Sequence, residues 1–563
     1  MEPTSFTFWS NCDNLEVFLD KLRSECRRMS AGALWSLEDT LHRALLLVRT
    51  SLNNASGINR LPSEILRIIF QDVLGPVERK KTFRWPSSQL RSTRGRSTLA
   101  EVCHVWREIC LDCAALWSHI VDISPGSFRH SLPIILSRSK YTPLKVLLTA
   151  DDLPWMDNLL RTNGARIQEL FVWSFTNTNV HRRLDFAAPA LEQLTIAGNG
   201  PISTDFHPLL CMGNTPKLQS LTLWYTYWTP NNCFRSLKQL CCRFKSHSTS
   251  HAVNLQSSNI IRFLSGCPNL EDVILVLPYN HVAQDIAEDS PSVTLSRLKR
   301  LVLDGPRPER NAWLLRHLSI PAGVSIRIMK TTATNVLRLA RVLPSLPVVR
   351  GFTSLCIQFS GMQVNFGVKM TSANSHTGMR IEMHLPFTSI ANVSPFLCKL
   401  YPLTDIRELH IDVAGYRLPD RRSVDPSCIF PYLELSAFPS LSKLVYHHPT
   451  RTLDPDLALV HSMSGLFPSE AGNPPHCPDL ATLHVRLGRS RLMFDVVVEF
   501  SKARAEAGYP LHEVVVGFDG EDAHMTALQR SSGTAQMRAD WTPSQLQWPA
   551  TSTAAPHEYW APW

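Results

Sequence analysis

Four residues in one short stretch carry the side chains that most often bind zinc: Cys103, His104, Cys110 and Cys113. Thiolates and imidazoles in tetrahedral sets hold structural Zn²⁺. Cys103 and Cys110, however, occupy apolar positions of a helical pattern, and the paired Cys-x-x-Cys spacing of a closed zinc site is absent. We therefore predict that these cysteines pack in a core and that the chain has no metal-binding residues.

Outside that stretch, no set of residues forms a recognisable motif for chemistry. His447-His448 and His476-Cys477 lie in or beside polar segments without a carboxylate-bearing motif. The sequence has no Gly-x-Gly-x-x-Gly turn after a strand, no phosphate-binding loop and no Gly-x-Ser-x-Gly elbow. We predict a protein that is not an enzyme, has no catalytic residue and uses no cofactor. An α/β hydrolase or transferase with an unrecognised site is the enzymatic alternative.

Two apolar stripes predict the helices that position these cysteines. The first follows Leu61-Pro62, where proline suits a helix start and Glu64 favours the positive end of the helix dipole. The second ends shortly before Leu116-Trp117. Both stripes repeat at helical spacing. Their members are Ile65, Leu66, Ile69, Phe70 and Val73 in the first, and Leu99, Val102, Cys103, Trp106, Ile109 and Cys110 in the second.

This pattern resembles the F-box, a small helical module that docks onto another protein. F-box proteins bind a Skp-type adaptor within a cullin–RING ubiquitin ligase, and the rest of their chain selects a protein for ubiquitination. A helical hairpin whose apolar side chains only fill its own core is the alternative interpretation. The matching positions are Leu61, Pro62, Glu64, Ile65, Ile69, Leu99, Val102, Cys103, Trp106, Ile109, Leu116 and Trp117. The adaptor-binding residues that the resemblance implies are Leu61, Pro62, Glu64, Ile65, Ile69, Val102 and Trp106.

One segment departs from the F-box pattern, because residues 75–97 form a long link between the two stripes. The link carries a run of basic residues. Such a run is typical of a solvated, disordered insertion, or else of a nuclear-import or nucleic-acid-binding segment. Phe83 and Trp85 are too few aromatic residues for a base-stacking platform, so we predict no nucleic-acid partner. The basic residues of the insertion are Arg79, Lys80, Lys81, Arg84, Arg91, Arg94 and Arg96.

Beyond residue 140 the form Leu-x-x-Leu-x-Leu recurs, which predicts short parallel strands whose alternate residues point into a core. The two widest intervals between copies each predict one more strand, near Ile326 and near Ile381. The series of strands is also predicted to begin as early as Ile167 and to end as late as Leu511. Polar stretches predict loops at about 245–257, 279–292, 366–378 and 449–476. The recognised copies begin at Leu191, Leu218, Leu237, Leu270, Leu298, Phe352, Ile406, Leu441 and Leu480.

The repeat resembles the irregular leucine-rich-repeat solenoids that often follow an F-box. It implies an α/β fold in which a parallel sheet lines a concave face, and such faces usually bind partners. Alternate strand residues are predicted to be exposed on that face. Trp224 and Trp228 suit either an interface or a packed loop. A generic doubly wound α/β protein is the alternative fold. The candidate substrate-binding residues are Thr195, Thr222, Trp224, His410 and His484.

The chain thus divides into four predicted regions. Residues 1–57 form a helical segment, in which apolar spacing at 14–52 predicts helices that pack on the F-box or form a short coiled segment. Residues 58–120 form the F-box with its insertion, 121–518 the repeats, and 519–563 a disordered tail. A length of 563 residues is ample for a small module and a larger domain.

Composition and charge narrow the setting. The net charge of +9 comes largely from the insertion, so no broad basic surface indicates a nucleic-acid partner. No signal peptide or membrane span is predicted, which favours the cytoplasm or the nucleus and reduced cysteines. We expect the substrate-recognition subunit of an SCF-type ubiquitin ligase, partnered by a Skp-type adaptor, a cullin and an unknown protein substrate. A non-ligase interaction scaffold that retains the F-box fold is the alternative.

Overall fold

The computed structural model describes residues 12–74, 95–121, 128–148, 154–174, 184–198, 207–226, 228–244, 257–277, 292–332, 336–362, 365–373, 377–386, 400, 403–416, 435–447, 475–487, 492–518 and 536–538. These residues divide into two compact units. The first contains residues 12–74, 95–119 and 131–142, and the second contains the described residues of 120–130 and of 143–563.

The first unit is helical. A polar cap begins its longest helix: the Ser30 hydroxyl accepts a hydrogen bond from the backbone N–H of Ala33 at 3.4 Å. Pro62 directly precedes the third helix, and Glu64 lies in its first turn, as predicted. The helices are α1 (Cys12–Cys26), α2 (Ala31–Ala55), α3 (Ser63–Val73), α4 (Gly95–Val102), α5 (His104–Asp112), α6 (Ala114–Trp117) and, from residue 131 onward, α7 (Phe128–Arg138).

The core of the helical unit draws on α3, α4, α5 and α6. The second apolar stripe does not form one continuous helix, because Cys103 adopts an extended conformation with φ −159° and ψ 173°. This break turns Val102 out to solvent while Leu99 and Ile109 stay in the core. The core consists of Leu66, Phe70, Leu74, Leu99, Ile109, Cys110, Cys113 and Leu116.

The second unit is built around a sheet with a few helices. Two short strands, β8 (Val293–Thr294) and β10 (Leu318–Ser319), pair separately. The remaining strands are β1 (His119–Val121), β2 (Leu144–Leu148), β3 (Ile167–Ser174), β4 (Gln193–Gly198), β5 (Ser220–Thr226), β6 (Gln239–Phe244), β7 (Asp272–Val276), β9 (Arg300–Asp304), β11 (Ser325–Thr332), β12 (Ser354–Met362), β13 (Asn365–Ala373), β14 (Gly378–Pro386), β15 (Glu408–Tyr416), β16 (Lys443–His447), β17 (Thr482–Leu487), β18 (Glu513–Phe518) and β19 (Gln536–Arg538). The helices are α8 (Pro154–Asn163), α9 (Ser257–Ser265), α10 (Pro308–Arg316), α11 (Val336–Ala340) and α12 (Leu492–Glu506).

Most strands pair with the strand that follows them along the chain. Over the described ranges the order is β1-β2-β3-β4-β5-β6-β7-β9-β11-β14-β13-β12-β15-β16-β17-β18-β19. From β2 onward the neighbours run parallel, except that β13 is antiparallel to both β12 and β14. The predicted parallel sheet is therefore confirmed, with one reversed segment.

That reversed segment corrects two predictions. Residues 366–378 were predicted as a loop, but most of them belong to β13, which forms two hairpins with its neighbours. The strand predicted near Ile381 does form, as β14, but it pairs with β11 rather than following β12. The other predicted loops fall almost wholly outside the described residues. Within the predicted tail, Gln536–Arg538 pair with β18, and the rest of 519–563 lies outside the described residues.

The sheet keeps its register over many strands, which explains the repeated leucines. In parallel pairs, residues at equivalent positions of the repeat lie side by side. The second leucine of each copy forms one such row, and every member of the row is buried. From β3 to β11 the row consists of Leu170, Leu194, Leu221, Leu240, Val273, Leu301 and Ile326.

Candidate protein-interaction surfaces

The helical unit presents aliphatic side chains to water. Ile65 on α3 is 43% exposed, and Val102 at the end of α4 is 50% exposed. Leu61 and Pro62, which lead into α3, are exposed as well. On the opposite side of α3, Leu66 and Phe70 are fully buried, so the helix is apolar on both faces but needs only one for its own core. A surface of this kind is typical of a docking site.

Two of the predicted adaptor-facing residues are held largely within the module instead. The ring of Trp106 lies 4.7 Å from that of Phe70, and its Nε1 donates a hydrogen bond to Oδ1 of Asn59 at 2.6 Å. Ile69 is also half-buried and packs on the same core. Predicting that Ile69 and Trp106 face outward was therefore only partly right, since each contributes to the core and leaves an edge accessible.

Charged side chains fix the end of α5 beside α3. Asp112 receives Arg67 Nη2 at 2.6 Å and Lys140 Nζ at 3.0 Å. The hydrogen bond from Lys140, together with the charges of Lys140 and Arg67, lowers the pKa of the Asp112 carboxyl. Glu64 is exposed at the start of α3, where its carboxylate interacts favourably with the positive end of the helix dipole. These contacts orient α3 and α5 without covering the exposed aliphatic residues.

Residues 58–122 match the F-box-like family. The match covers the segment from the 3₁₀ turn that carries Asn59 to the start of the sheet, and it agrees with the resemblance drawn from Leu61, Pro62 and Trp106. It supports an F-box in this chain and a protein-interaction role, because F-box domains typically bind Skp-type adaptors. No curated protein and no solved structure matches this chain.

Two cysteines of the module pack as predicted, whereas Cys103 is only half-buried and lies outside the core. Cys110 and Cys113 are buried in the helical core, and burial beside Cys113 raises the pKa of the Cys110 thiol to about 11. A raised pKa opposes the thiolate form that binds zinc. Among the described residues, no group of three or more His, Cys, Asp or Glu side chains is placed to hold a metal ion. Nor is any helix in those ranges long and apolar enough to cross a membrane.

The last arginine of the basic insertion is not solvated. Arg96 lies within α4, where its guanidinium stacks 5.0 Å from the Trp117 ring centroid and donates to the His119 carbonyl at 3.2 Å. Burial lowers its pKa to about 10. Arg138 stacks over the same ring at 4.6 Å. The predicted insertion thus ends before Gly95, and its other basic residues lie outside the described residues.

The sheet buries most of the candidate substrate-binding residues. Thr195, Thr222, Trp224 and His410 are all buried, and His484 is half-buried. Their predicted exposure is wrong, because neighbouring strands about 4.8 Å away flank each side chain along its row. Trp224 packs beneath the Arg243 guanidinium at 4.8 Å, and Trp228 is also buried. Packing therefore explains both tryptophans, whereas a role in binding the substrate stays a prediction.

Charges on this side of the sheet are paired from strand to strand. Asp272 on β7 binds Arg300 on β9, and both are almost fully buried. The preceding residues, Glu271 and Lys299, pair in the same way at 2.5 Å. Sequence reasoning missed these pairs, although opposite charges at equivalent positions of consecutive repeats are a readable signal.

A second charged group lies on the C-terminal strands. Glu408 on β15 accepts hydrogen bonds from His410 at 3.0 Å, from Lys443 at 2.9 Å and from the Ser354 hydroxyl at 3.2 Å. These partners, His410 foremost, lower the pKa of Glu408 to about 2 despite its partial burial. Half-buried polar groups of this kind leave some hydrogen-bonding capacity at the sheet surface.

Proposed function

We propose that this chain is the substrate-recognition subunit of an SCF-type ubiquitin ligase. The F-box-like module docks a Skp-type adaptor, which connects it to a cullin, and the sheet unit binds the protein to be ubiquitinated. The chain itself supplies no catalytic group and raises the rate of ubiquitination by bringing the substrate close to the ligase. We place its action in the cytoplasm or the nucleus, where such ligases work.

The observation that carries the proposal is the exposed aliphatic surface formed by Leu61, Pro62, Ile65 and Val102. The module completes its own core with Leu66 and Phe70, so these side chains are not needed for folding. Burying them against a partner removes apolar surface from water, which favours binding.

We further propose that the sheet unit is an irregular leucine-rich-repeat solenoid whose strand face selects the substrate. The in-register leucine row and the largely parallel strands support this interpretation. Exposed or half-buried polar residues of the sheet unit, such as Lys299 and His447, are better candidates for contact with a substrate than the buried threonines.

The adaptor test uses the purified full-length chain and a purified Skp-type adaptor in isothermal titration calorimetry. Replacing Leu61 and Pro62 with alanine together is expected to weaken binding at least about 30-fold, since truncating an anchor residue costs about 2 kcal/mol or more. Ile68→Ala is the matched control, because Ile68 is exposed on the same helix and lies outside the implied surface. Unchanged affinity in the double variant would contradict the proposed docking residues.

Reconstitution separates a ligase subunit from a scaffold. Mixing the chain and its adaptor with a purified cullin–RING complex is expected to yield one assembly that elutes together in gel filtration. If the adaptor binds but the cullin is excluded, the scaffold alternative replaces the ligase.

For the substrate, cross-linking mass spectrometry on the full chain should place contacts near Lys299 or His447, and contacts confined to the helical unit would contradict a substrate-binding sheet.

A further inference from the structure

Helix α2 has an apolar surface that lies outside the proposed adaptor site. It extends for 25 residues, about 37 Å at 1.5 Å per residue, and none of its side chains is buried. Its only half-buried aliphatic residue is Leu37. Helices in proteins gain most of their stability from packing an apolar face against other elements. The packing expected for α2 against the F-box is therefore not observed, and none of the described residues buries its apolar face.

Six of the aliphatic residues of α2 form a narrow seam, and Leu46 and Leu47 lie away from it. Because successive residues rotate by about 100°, six of them fall within an arc of about 80° on one side of the helix. The seam consists of Leu34, Leu37, Leu41, Leu45, Val48 and Leu52. Leu41 and Val48 are 44% and 54% exposed. Such a width is that of a coiled-coil seam rather than of a helix lying on a globular core.

Helix α1 does not cover this seam. Its own aliphatic and aromatic residues Val17, Phe18 and Leu19 are at least half exposed. The back of α2 carries polar groups that are satisfied within the helix, since Asp39 and Arg43 form an ion pair at 2.5 Å. Within the part of the chain that the structure describes, no apolar helix covers the seam.

The charges beside the seam indicate which helix fits. Glu38 and Arg49 lie on the same edge, about 60° and 80° from Leu41, toward opposite ends of α2. A second α2 in antiparallel orientation brings the same edge of each helix together. With Leu34 beside Leu52 of the other copy and Leu41 beside Leu45, Glu38 lies within one residue of level with Arg49. A parallel copy would instead place Glu38 opposite the edge that carries Ala44 and Ser51.

We propose that two copies of this chain associate through α2 as an antiparallel coiled coil, in which Leu34, Leu41, Val48 and Leu52 interdigitate and Glu38 pairs with Arg49 across the seam. This surface is separate from Leu61, Pro62, Ile65 and Val102. A dimer formed in this way is independent of adaptor binding and presents two F-box modules in one assembly.

Sedimentation velocity of the purified full-length chain, from about 0.1 to 50 µM, tests the association. The wild type is expected to sediment as a dimer that dissociates on dilution. Leu41→Asp places a carboxylate in the seam twice per dimer and is expected to raise the dissociation constant about 100-fold or more. Leu47→Asp is the matched control, because Leu47 is 70% exposed on the same helix and points away from the seam. Far-UV circular dichroism checks that both variants keep their helix content.

Charge exchange tests the antiparallel arrangement. Glu38→Arg and Arg49→Glu should each weaken the dimer about three- to tenfold, because each creates two like-charge contacts. The double variant Glu38→Arg/Arg49→Glu should return to near the wild-type dissociation constant.

A chain that is monomeric over the whole concentration range would overturn the proposal, as would an equal loss of dimer in Leu41→Asp and Leu47→Asp. A double charge variant no tighter than either single variant would overturn the antiparallel pairing. Calorimetric titration of Leu41→Asp with the Skp-type adaptor should give wild-type affinity, which keeps this test distinct from that of the proposed function.

Discussion

Ile65 and Arg300 show that the helical unit and the sheet unit differ in which side chains they bury. Ile65 is an aliphatic residue of the helical unit, yet 43% of it is exposed. Arg300 is a cation in the sheet unit, yet only 4% of it is exposed, and it is paired with Asp272 on the neighbouring strand. A small helical module leaves apolar groups for a partner to cover, whereas the sheet satisfies its charges internally. Substitutions at exposed aliphatic residues such as Ile65 should therefore affect binding, and those at buried charges such as Arg300 should affect folding.

The largest effect is expected at the buried ion pair. Arg300→Met removes the guanidinium and leaves the Asp272 carboxylate buried without it, which should lower the free energy of unfolding of the sheet unit by about 3–5 kcal/mol. Urea denaturation followed by circular dichroism measures the change. The double variant Arg300→Met/Asp272→Leu should recover most of the loss, because no buried charge remains. A loss below about 1 kcal/mol in the single variant would show that the pair is accessible to water.

A comparison within one helix separates core from surface. Leu66→Ala opens a cavity in the helical core and should lower the free energy of unfolding by about 2–5 kcal/mol. Ile65→Ala, one residue away, should change it by no more than about 0.5 kcal/mol and should instead weaken adaptor binding. Thermal unfolding and adaptor titration are measured for both variants. Equal destabilisation by the two would mean that Ile65 belongs to the core, and the contrast between the units would fail.

The sequence predicted the position of α3 correctly from helical spacing and Pro62, but spacing alone did not predict which members of its apolar stripe are buried, since Leu66 and Phe70 fill the core whereas Ile65 and Val73 are exposed. The sequence also predicted most sheet strands, since the Leu-x-x-Leu-x-Leu form sets strand position and face together. The break at Cys103 was not predictable from spacing, because an apolar cysteine is compatible with a continuing helix. Only the extended backbone at that residue separates Val102 from the core.

The remaining errors depend on contacts between distant segments. The order of β12, β13 and β14 is reversed by two hairpins, and strand spacing along the chain does not encode which neighbour a strand chooses. Burial of Asp272 depends on Arg300 on the next strand, and that of Arg96 depends on Trp117. A charged residue is normally predicted to be exposed, so such pairs become visible only when consecutive repeats are compared position by position.

A smaller effect is expected where the helical unit uses a polar contact. Trp106→Phe keeps the packing against Phe70 but removes the Nε1 hydrogen bond to Asn59, which should lower the free energy of unfolding by about 1 kcal/mol. Asn59→Ala and the double variant complete a mutant cycle. Additive losses in the cycle would show that the two side chains do not interact in solution.

The smallest effect concerns protons on the C-terminal strands. Burial, together with the nearby cations Lys443 and His410, lowers the pKa of His484, although Glu513 opposes the shift. The unfolded chain therefore binds a proton at His484 at a higher pH than the folded chain does. Stability should fall as the pH drops below the ordinary histidine pKa, and it should level off below the lowered one. One such group changes the slope by at most about 1.4 kcal/mol per pH unit.

His484→Gln should flatten the pH dependence of the free energy of unfolding between about pH 7 and pH 5, where an ordinary histidine takes up its proton. Urea denaturation at half-unit pH steps measures the slope for the sheet unit. His104→Gln is the control, because His104 is an exposed histidine on α5 of the helical unit. If both variants change the slope equally, or if neither does, burial in the sheet does not govern the protonation of His484. The contrast between the two units would then apply to the arginines of the sheet but not to its histidines.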